Sequence, residues 1–289
     1  MGIKPSKISL YPLNIEMKRN GRSFGAGTGF FYKNSRSEVY LVTNYHVATA
    51  RDPKAPEMIL NGWPDSPDEL EWSYYDLSRK RFARGNIEFW KNDNINWLEH
   101  PERASGVDIV ALKIDPLNDF MPLTQLDLGL VDAGQLEVAA DLFVVGYPFG
   151  HAAGDFLPIW KKGTIASEPY FKPEGQRRFY IDAFVHPGMS GAPVFKAVDR
   201  EGLEVDKQTH NAVKQFGSGE ISGLDAIRQM SGNMKSATFR FYSFIGIYSG
   251  RLTFPNGKDP QLGIVWRSEL VDEIVNGNCI GVHPYPPLR

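Results

Sequence analysis

The chain has 289 residues, a formal net charge of −2 and 42% hydrophobic residues. This length allows a packed core in one large domain or two modest ones, and the nearly balanced charge gives no reason to expect a nucleic-acid partner. Cys279 is the only cysteine, which excludes an internal disulfide. Because the sequence also has no secretion signal and no apolar run of about 18 residues, we expect no membrane span and favour a cytoplasmic location.

The first β-type run, near residues 20–32, is rich in glycine. Residues 21–25 match the Gly-x-Ser-x-Gly nucleophile elbow, but that motif follows a central strand and precedes a helix, whereas here a β-run follows. Gly25, Gly27 and Gly29 also suggest a phosphate-binding loop, but the helix that such a loop requires does not follow them. We interpret them as glycines that allow strands to approach closely.

Two further runs present a histidine and an aspartate. Residues 38–47 (Glu-Val-Tyr-Leu-Val-Thr-Asn-Tyr-His-Val) deliver His46 just past a strand, and residues 106–114 place Asp108 at the head of another. Either residue alone is more often a packed histidine or a turn aspartate. The polar segment between them contains four of the six tryptophans. These are expected to anchor long loops to the barrel wall, although they also suit one side of a substrate cleft.

The connection between the two halves is predicted within residues 115–141, which have mixed polarity and no sustained period. We place the boundary near residue 125. Residues 1–125 then contain His46 and Asp108, and residues 126–289 contain Ser190. The short strands bounded by turns in the second part suggest a barrel or a sandwich.

Residues 180–195 (Tyr-Ile-Asp-Ala-Phe-Val-His-Pro-Gly-Met-Ser-Gly-Ala-Pro-Val-Phe) predict a strand, a tight corner and a second strand. The corner presents Ser190, and the glycines beside it allow the N–H groups of Gly188 and Ser190 to point at one oxyanion. Taken alone, the motif is equally compatible with an ordinary glycine turn. The order His46, Asp108, Ser190 favours a base, its orienting carboxylate and a nucleophile.

Two features follow the corner. Residues 196–243 are a long segment that Gly217, Gly219 and Gly232 mark as loop-like. A short helix is predicted around residues 220–230, and the segment suits gating, partner binding or a plain surface role. A C-terminal helix is predicted at about residues 267–276, from Ser268 as N-cap and an apolar face.

Three segments carry a family resemblance: residues 43–47 (Thr-Asn-Tyr-His-Val), 106–112 (Gly-Val-Asp-Ile-Val-Ala-Leu) and 188–193 (Gly-Met-Ser-Gly-Ala-Pro). They resemble the signatures of trypsin-like serine proteases, in particular the bacterial, disulfide-free branch with HtrA-type proteases and glutamyl endopeptidases. Residues 142–150 (Leu-Phe-Val-Val-Gly-Tyr-Pro-Phe-Gly) are similar to a segment that opens the second barrel in the HtrA group. The resemblance implies an all-β fold of two six-stranded antiparallel Greek-key barrels, an N-terminal one over residues 1–125 and a C-terminal one over residues 126–289, with a C-terminal helix and long loop insertions. Residues 196–243 are the main insertion, because relatives usually need only a short hairpin there.

The resemblance also implies a specificity pocket. Phe184, six residues before Ser190, stands where an acidic residue would select Lys or Arg, so small or apolar side chains are expected before the cleaved bond. His186 is a pocket candidate that would instead favour an acidic side chain. The opposing wall is expected from Tyr248, Ser249, Gly250 and Arg251, although relatives often have glycine at the position of Arg251.

The sequence therefore predicts a serine endopeptidase that hydrolyses protein or peptide substrates. Ser190 is the predicted nucleophile, His46 the base and Asp108 its orienting partner, with Gly188 and Ser190 N–H groups as the oxyanion hole. No metal or cofactor is expected, because no His/Cys/Asp cluster has ligand spacing, and the oligomeric state is open. The alternative is a non-catalytic or partner-activated module that binds extended peptides.

Overall fold

The computed structural model describes residues 5–60, 62–91, 94–114, 120–124, 136–154, 156–230, 234–254, 257 and 259–282. The chain divides into a main unit, Met1–Lys196 with Tyr242–Arg289, and an insertion unit, Ala197–Phe241. The insertion unit falls within the insertion predicted at residues 196–243. The predicted boundary near residue 125 lies outside the described residues and stays a prediction.

The first half of the main unit is built on an eight-stranded sheet in the order β10-β11-β3-β2-β1-β6-β7, with β12 beside β2. All its pairs are antiparallel except β12 with β2. A one-turn helix, α1 (Tyr45–Thr49), follows β3. The strands of this half are β1 (Pro12–Arg19), β2 (Arg22–Lys33), β3 (Val39–Thr43), β4 (Arg51–Asp52), β5 (Ala55–Ile59), β6 (Glu69–Asp76), β7 (Arg81–Glu88), β8 (Trp90–Lys91), β9 (Asn94–Ile95), β10 (Leu98–Glu99), β11 (Val110–Ile114) and β12 (Leu123–Thr124).

Close packing explains the glycines of β2, although it is not always packing between strands. An added Cβ on Gly29 would meet neighbouring strands, whereas one on Gly27 would meet Val47 of α1 and one on Gly25 would lie closest to Trp63. A Cβ on Gly27 would lie 2.5 Å from Val47 Cγ1, and one on Gly29 would lie 2.8 Å from the carbonyl oxygen of Val42. Because both distances are shorter than van der Waals contact, only glycine fits without a shift. The four tryptophans between His46 and Asp108 support the anchoring interpretation: Trp72 and Trp97 are buried in the core of this half, and Trp63 and Trp90 pack against it.

The second half closes into a six-stranded barrel in the order β13-β14-β15-β18-β17-β16. Its strands are β13 (Asp141–Gly146), β14 (Ile159–Ile165), β15 (Arg178–Ala183), β16 (Pro193–Val205), β17 (Met234–Arg251) and β18 (Leu262–Arg267). The predicted all-β architecture of two barrel-like halves is confirmed. The first half differs in having eight strands in its sheet where six were predicted.

The described residues of the insertion unit form two helices, α2 (Lys207–Gly217) and α3 (Gly223–Gln229). The Asp206 side chain caps α2 by accepting from Thr209 N at 2.8 Å, and Ser222 caps α3 through Asp225 N. The sequence predicted the region of α3 but did not predict α2, which begins after Asp206. The local capping by Asp206 allows the helix to begin there.

The predicted C-terminal helix is α4 (Glu269–Gly277). Its apolar side buries Leu270, Val271, Ile274 and Val275. They join a core cluster that includes residues from both halves, such as Phe30 of β2 and Phe195 of β16. The helix therefore covers the junction of the two halves.

Candidate active site

His46 lies where β3 ends and α1 begins. Asn44 precedes the helix in an extended conformation, and its side-chain amide donates a 2.7 Å hydrogen bond to the carbonyl oxygen of Asp108. The side chain of His46 is 15% exposed. One turn of helix after a buried strand therefore leaves the imidazole at the edge of the sheet and partly exposed.

Strand pairing brings Asp108 to the same edge. β11 runs antiparallel to β3, with Val110 opposite Thr43, so the end of β3 meets the beginning of β11. His46 Nδ1 lies 2.7 Å from Asp108 Oδ2, and the backbone N–H of His46 donates to Asp108 Oδ1 at 3.0 Å. The two predicted residues are thus in direct contact through two hydrogen bonds.

The buried carboxylate of Asp108 has a third donor, the hydroxyl of Ser249. The pairing of β17 with β18 shifts register between Tyr248 and Gly250, so Ser249 has no partner in the ladder and its side chain turns to the site. Because a carboxylate only accepts, Nδ1 of His46 carries the proton in this contact, and Nε2 is left as the basic nitrogen. The sequence analysis placed Ser249 on a pocket wall and missed this contact.

The corner that presents Ser190 consists of two consecutive turns. Met189 N donates to His186 O at 3.3 Å, and Ala192 N donates to Met189 O at 2.9 Å. Gly188 and Gly191 have φ values of +89° and +87°. Each glycine occupies the third position of its turn, which in a type II turn requires positive φ. The structure therefore contains the tight glycine corner that the sequence predicts, in the form of two consecutive turns.

Threonines of the first half hold this corner. Thr28 N donates to Ser190 O and Thr28 Oγ1 to Gly188 O, both at 2.8 Å. Thr43, at the end of the His46 strand, donates through its hydroxyl to Thr28 O at 2.7 Å. The strand that leads to His46 and the corner that carries Ser190 are therefore linked through Thr28, which accepts from Thr43 and donates to the corner.

The N–H groups of Gly188 and Ser190 donate no hydrogen bond within the described residues. The carbonyl of Pro187 accepts from Phe149 N at 2.6 Å. Because the C=O and N–H of a trans peptide point in opposite directions, this bond directs the Gly188 N–H away from Phe149. Within the same residues, the Ser190 hydroxyl makes no hydrogen bond to His46.

Two of the predicted pocket residues present aromatic rings beside the corner. Phe184 is 66% exposed, and its ring centroid lies 4.7 Å from that of His186 in an edge-on arrangement. The ring centroid of Phe149 lies 5.2 Å from that of His186. The predicted pocket segment therefore presents a row of rings to solvent.

The remaining pocket residues come from β17. Tyr248 is 2% exposed, and burial raises the pKa of its phenol to about 12. It contributes backbone to the site: its carbonyl accepts from Gly191 N at 2.8 Å, and its N–H donates to Ala192 O at 2.9 Å. Gly250 has a φ of +115°. Arg251 Nη2 donates to Val185 O at 3.2 Å.

Sequence reasoning also missed Thr28, Asn44 and Phe149 at this site. Asn44 and Phe149 lie inside the segments that carried the resemblance, whereas Thr28 lies outside them. In the part of the chain that the structure describes, no three His, Cys, Asp or Glu side chains form a group able to hold a metal ion. None of the described helices is long and apolar enough to cross a membrane.

Comparison with solved structures finds similar chains of low sequence identity. The structure of Deg5 is 17% identical, with 92% of this chain and 87% of that chain covered and a TM-score of 0.46. The protease Anisep from Arthrobacter nicotinovorans is 12% identical, with 93% and 94% covered and a TM-score of 0.48. Human heparin binding protein is 14% identical, with 100% and 99% covered and a TM-score of 0.46. No curated protein matches the sequence significantly.

A family model described as a trypsin-like peptidase domain matches residues 27–202. The match covers more than half of the 289 residues and includes His46, Asp108 and Ser190. The chain belongs to the trypsin-like peptidase family, a family of proteases.

Proposed function

We propose that the chain is a serine endopeptidase that uses Ser190, His46 and Asp108. The observation that carries the proposal is the pair of hydrogen bonds that join Asp108 to His46, at 2.7 and 3.0 Å, on a carboxylate that is 4% exposed. A buried carboxylate on Nδ1 keeps Nε2 available as a base.

In the proposed reaction, Ser190 Oγ attacks the carbonyl carbon of the scissile peptide while His46 Nε2 takes the hydroxyl proton. His46 then returns the proton to the leaving amine, and the acyl group stays on Ser190. Water then attacks the acyl carbon while His46 Nε2 takes a proton from it. The bond from that carbon to Ser190 Oγ breaks, the acid is released, and Ser190 Oγ regains the proton from His46. Asp108 stabilises the imidazolium in both steps.

The N–H groups of Gly188 and Ser190 are the proposed donors to the tetrahedral oxyanion. Their lack of other acceptors within the described residues supports this role. Loss of one such donor typically lowers kcat by about 10²- to 10³-fold. The Phe149–Pro187 hydrogen bond supports the orientation that the Gly188 N–H needs.

The substrates are proposed to be proteins or peptides. The preference for small or apolar side chains before the cleaved bond stays a prediction. The exposed ring of Phe184 supports this preference, whereas the basic side chains of Lys161 and Arg251 near that ring oppose it.

Active-site labelling tests the proposal. The full chain is incubated with a fluorophosphonate, and Ser190→Ala is the matched control. We expect stoichiometric labelling that Ser190→Ala abolishes and His46→Ala slows strongly. A folded wild-type protein that takes up no label would contradict a constitutively active enzyme.

The second candidate is a partner-activated or non-catalytic module that binds extended peptides. It is favoured by the absence of a hydrogen bond between Ser190 and His46 within the described residues. In unliganded proteases such bonds are often long, so the observation alone does not displace the first candidate. Labelling that begins only after a peptide is added would support partner activation, and peptide binding without labelling would support the binding module.

A further inference from the structure

Two basic side chains converge on the exposed ring of Phe184. Lys161 Nζ, from β14, lies 5.6 Å from the ring centroid, and the guanidinium carbon of Arg251, from the end of β17, lies 5.9 Å from it. His186 packs against the same ring. The predicted pocket base is therefore an aromatic face with cationic groups on it, where an uncharged apolar pocket was expected.

Arg251 reaches from one pocket segment to the other. It follows Ser249 by two residues on β17, and its Nη2 donates to the carbonyl of Val185, five residues before Ser190. Its Nη1 donates to Asp259 Oδ2 at 3.1 Å. The guanidinium thus lies between the segments that flank the catalytic residues, with a carboxylate already bound to it.

The ion pair between Arg251 and Asp259 is exposed enough for another carboxylate to replace Asp259 on Arg251. The two side chains are 35% and 40% exposed, and an ion pair at such exposure contributes little to stability because solvent screens it. Lys161 has no ion-pair partner within the described residues. Asp259 therefore pairs with one of the two basic side chains at Phe184, and the other basic side chain would attract a second carboxylate.

We infer that this pocket binds an acidic side chain, Glu or Asp, before the cleaved bond, with Arg251 and Lys161 as the residues that determine specificity. Phe184 contacts the methylene groups of that side chain. Asp259 is an internal competitor that the substrate carboxylate displaces from Arg251. This inference rests on the proposed endopeptidase function.

The test uses the full chain and internally quenched peptides that are identical except for Glu, Gln, Asp, Asn, Leu, Ala or Lys at the cleaved position. We expect kcat/KM for Glu to exceed that for Gln by about 10- to 100-fold, since a hydrogen-bonded charge is lost. In Arg251→Gln and Lys161→Gln the Glu-to-Gln ratio falls toward one. In Asp259→Asn the ratio is retained or increases, because the competing carboxylate is removed.

Lys162→Gln is the matched control: Lys162 is the next residue on β14 but pairs with Asp141 at 2.7 Å. It is expected to keep the wild-type ratio. Arg251→Lys is the second variant, for use if Arg251→Gln misfolds. Because it keeps the charge but loses the guanidinium, its Glu-to-Gln ratio is expected to lie between the wild-type ratio and one. Equal cleavage of Glu and Gln peptides, or a preference for Leu or Ala, by a protein that a fluorophosphonate labels would overturn this inference alone. Absence of labelling would instead reject the proposed function.

Discussion

At the scale of single residues, the carboxylate of Asp108 is the centre of the candidate site. It accepts from the backbone and ring of His46 and from the hydroxyl of Ser249. Buried charge is stabilised only when donors surround it. Each of these donors therefore contributes to keeping the imidazole oriented.

Ser249→Ala removes one of the three donors. We expect the second-order rate constant of fluorophosphonate labelling to fall about 10- to 100-fold, the usual effect of losing a hydrogen bond to a charged group. Ser243→Ala is the control, because Ser243 lies on the same strand, is 1% exposed and has no hydrogen-bond partner for its hydroxyl in the described structure. Wild-type labelling by Ser249→Ala would show that two donors are sufficient.

The sequence could identify Asp108 and His46 because local patterns carry them. His46 follows one β-run and Asp108 precedes another, and the antiparallel pairing of the two runs brings these ends together. The contact of Ser249 with Asp108 joins residues 141 positions apart. It depends on a register shift in β17, which no local pattern revealed.

At the scale of elements, the double turn at residues 186–192 combines conformational and steric constraints. Proline at the second position and glycine at the third suit the first turn. In the second turn, a Cβ on Gly191 would lie 1.9 Å from Thr28 O and 2.5 Å from Thr43 Oγ1. The corner needs a glycine there for space as well as for its φ.

Comparison of Gly191→Ala with Gly154→Ala separates these two requirements. Gly154 also has positive φ, +60°, but no described atom lies within 4 Å of its added Cβ. We expect Gly154→Ala to lower the free energy of unfolding by about 1 kcal/mol and Gly191→Ala to lower it by about 3–5 kcal/mol with loss of labelling. Urea denaturation measures both, and equal losses would show that strain from φ alone decides.

At the scale of the whole molecule, α4 joins the two halves. Its Glu273 accepts from Arg177 at 2.5 and 2.6 Å and lies 2.8 Å from His100 Nε2. Hydrogen bonding to Arg177 is the largest cause that lowers the pKa of Glu273 from 4.5 to about 2. The charged form of Glu273 is therefore favoured in the folded protein.

A lowered carboxyl pKa stabilises the folded state above the unfolded value, and that contribution is lost as the pH falls through the folded value. We expect Arg177→Gln to lower the free energy of unfolding at pH 6. The difference from wild type should narrow below about pH 4.5 and disappear near pH 2. Urea denaturation across this pH range measures the difference, and Lys172→Gln, which changes an exposed lysine, is the control. A difference that does not depend on pH would contradict the role of the Arg177–Glu273 pair.

The sequence by itself determined the all-β architecture, the C-terminal helix and the order of His46, Asp108 and Ser190. Alternating apolar residues and turn glycines carry this information, because they act over a few neighbouring positions. Only the tertiary structure decided what surrounds Phe184. Lys161, Arg251 and Asp259 come from separate strands and loops, and their convergence depends on barrel closure and on the register of β17 against β18. Charge at the candidate pocket is thus a property of the fold, whereas the identity of the proposed nucleophile and base is a property of short segments.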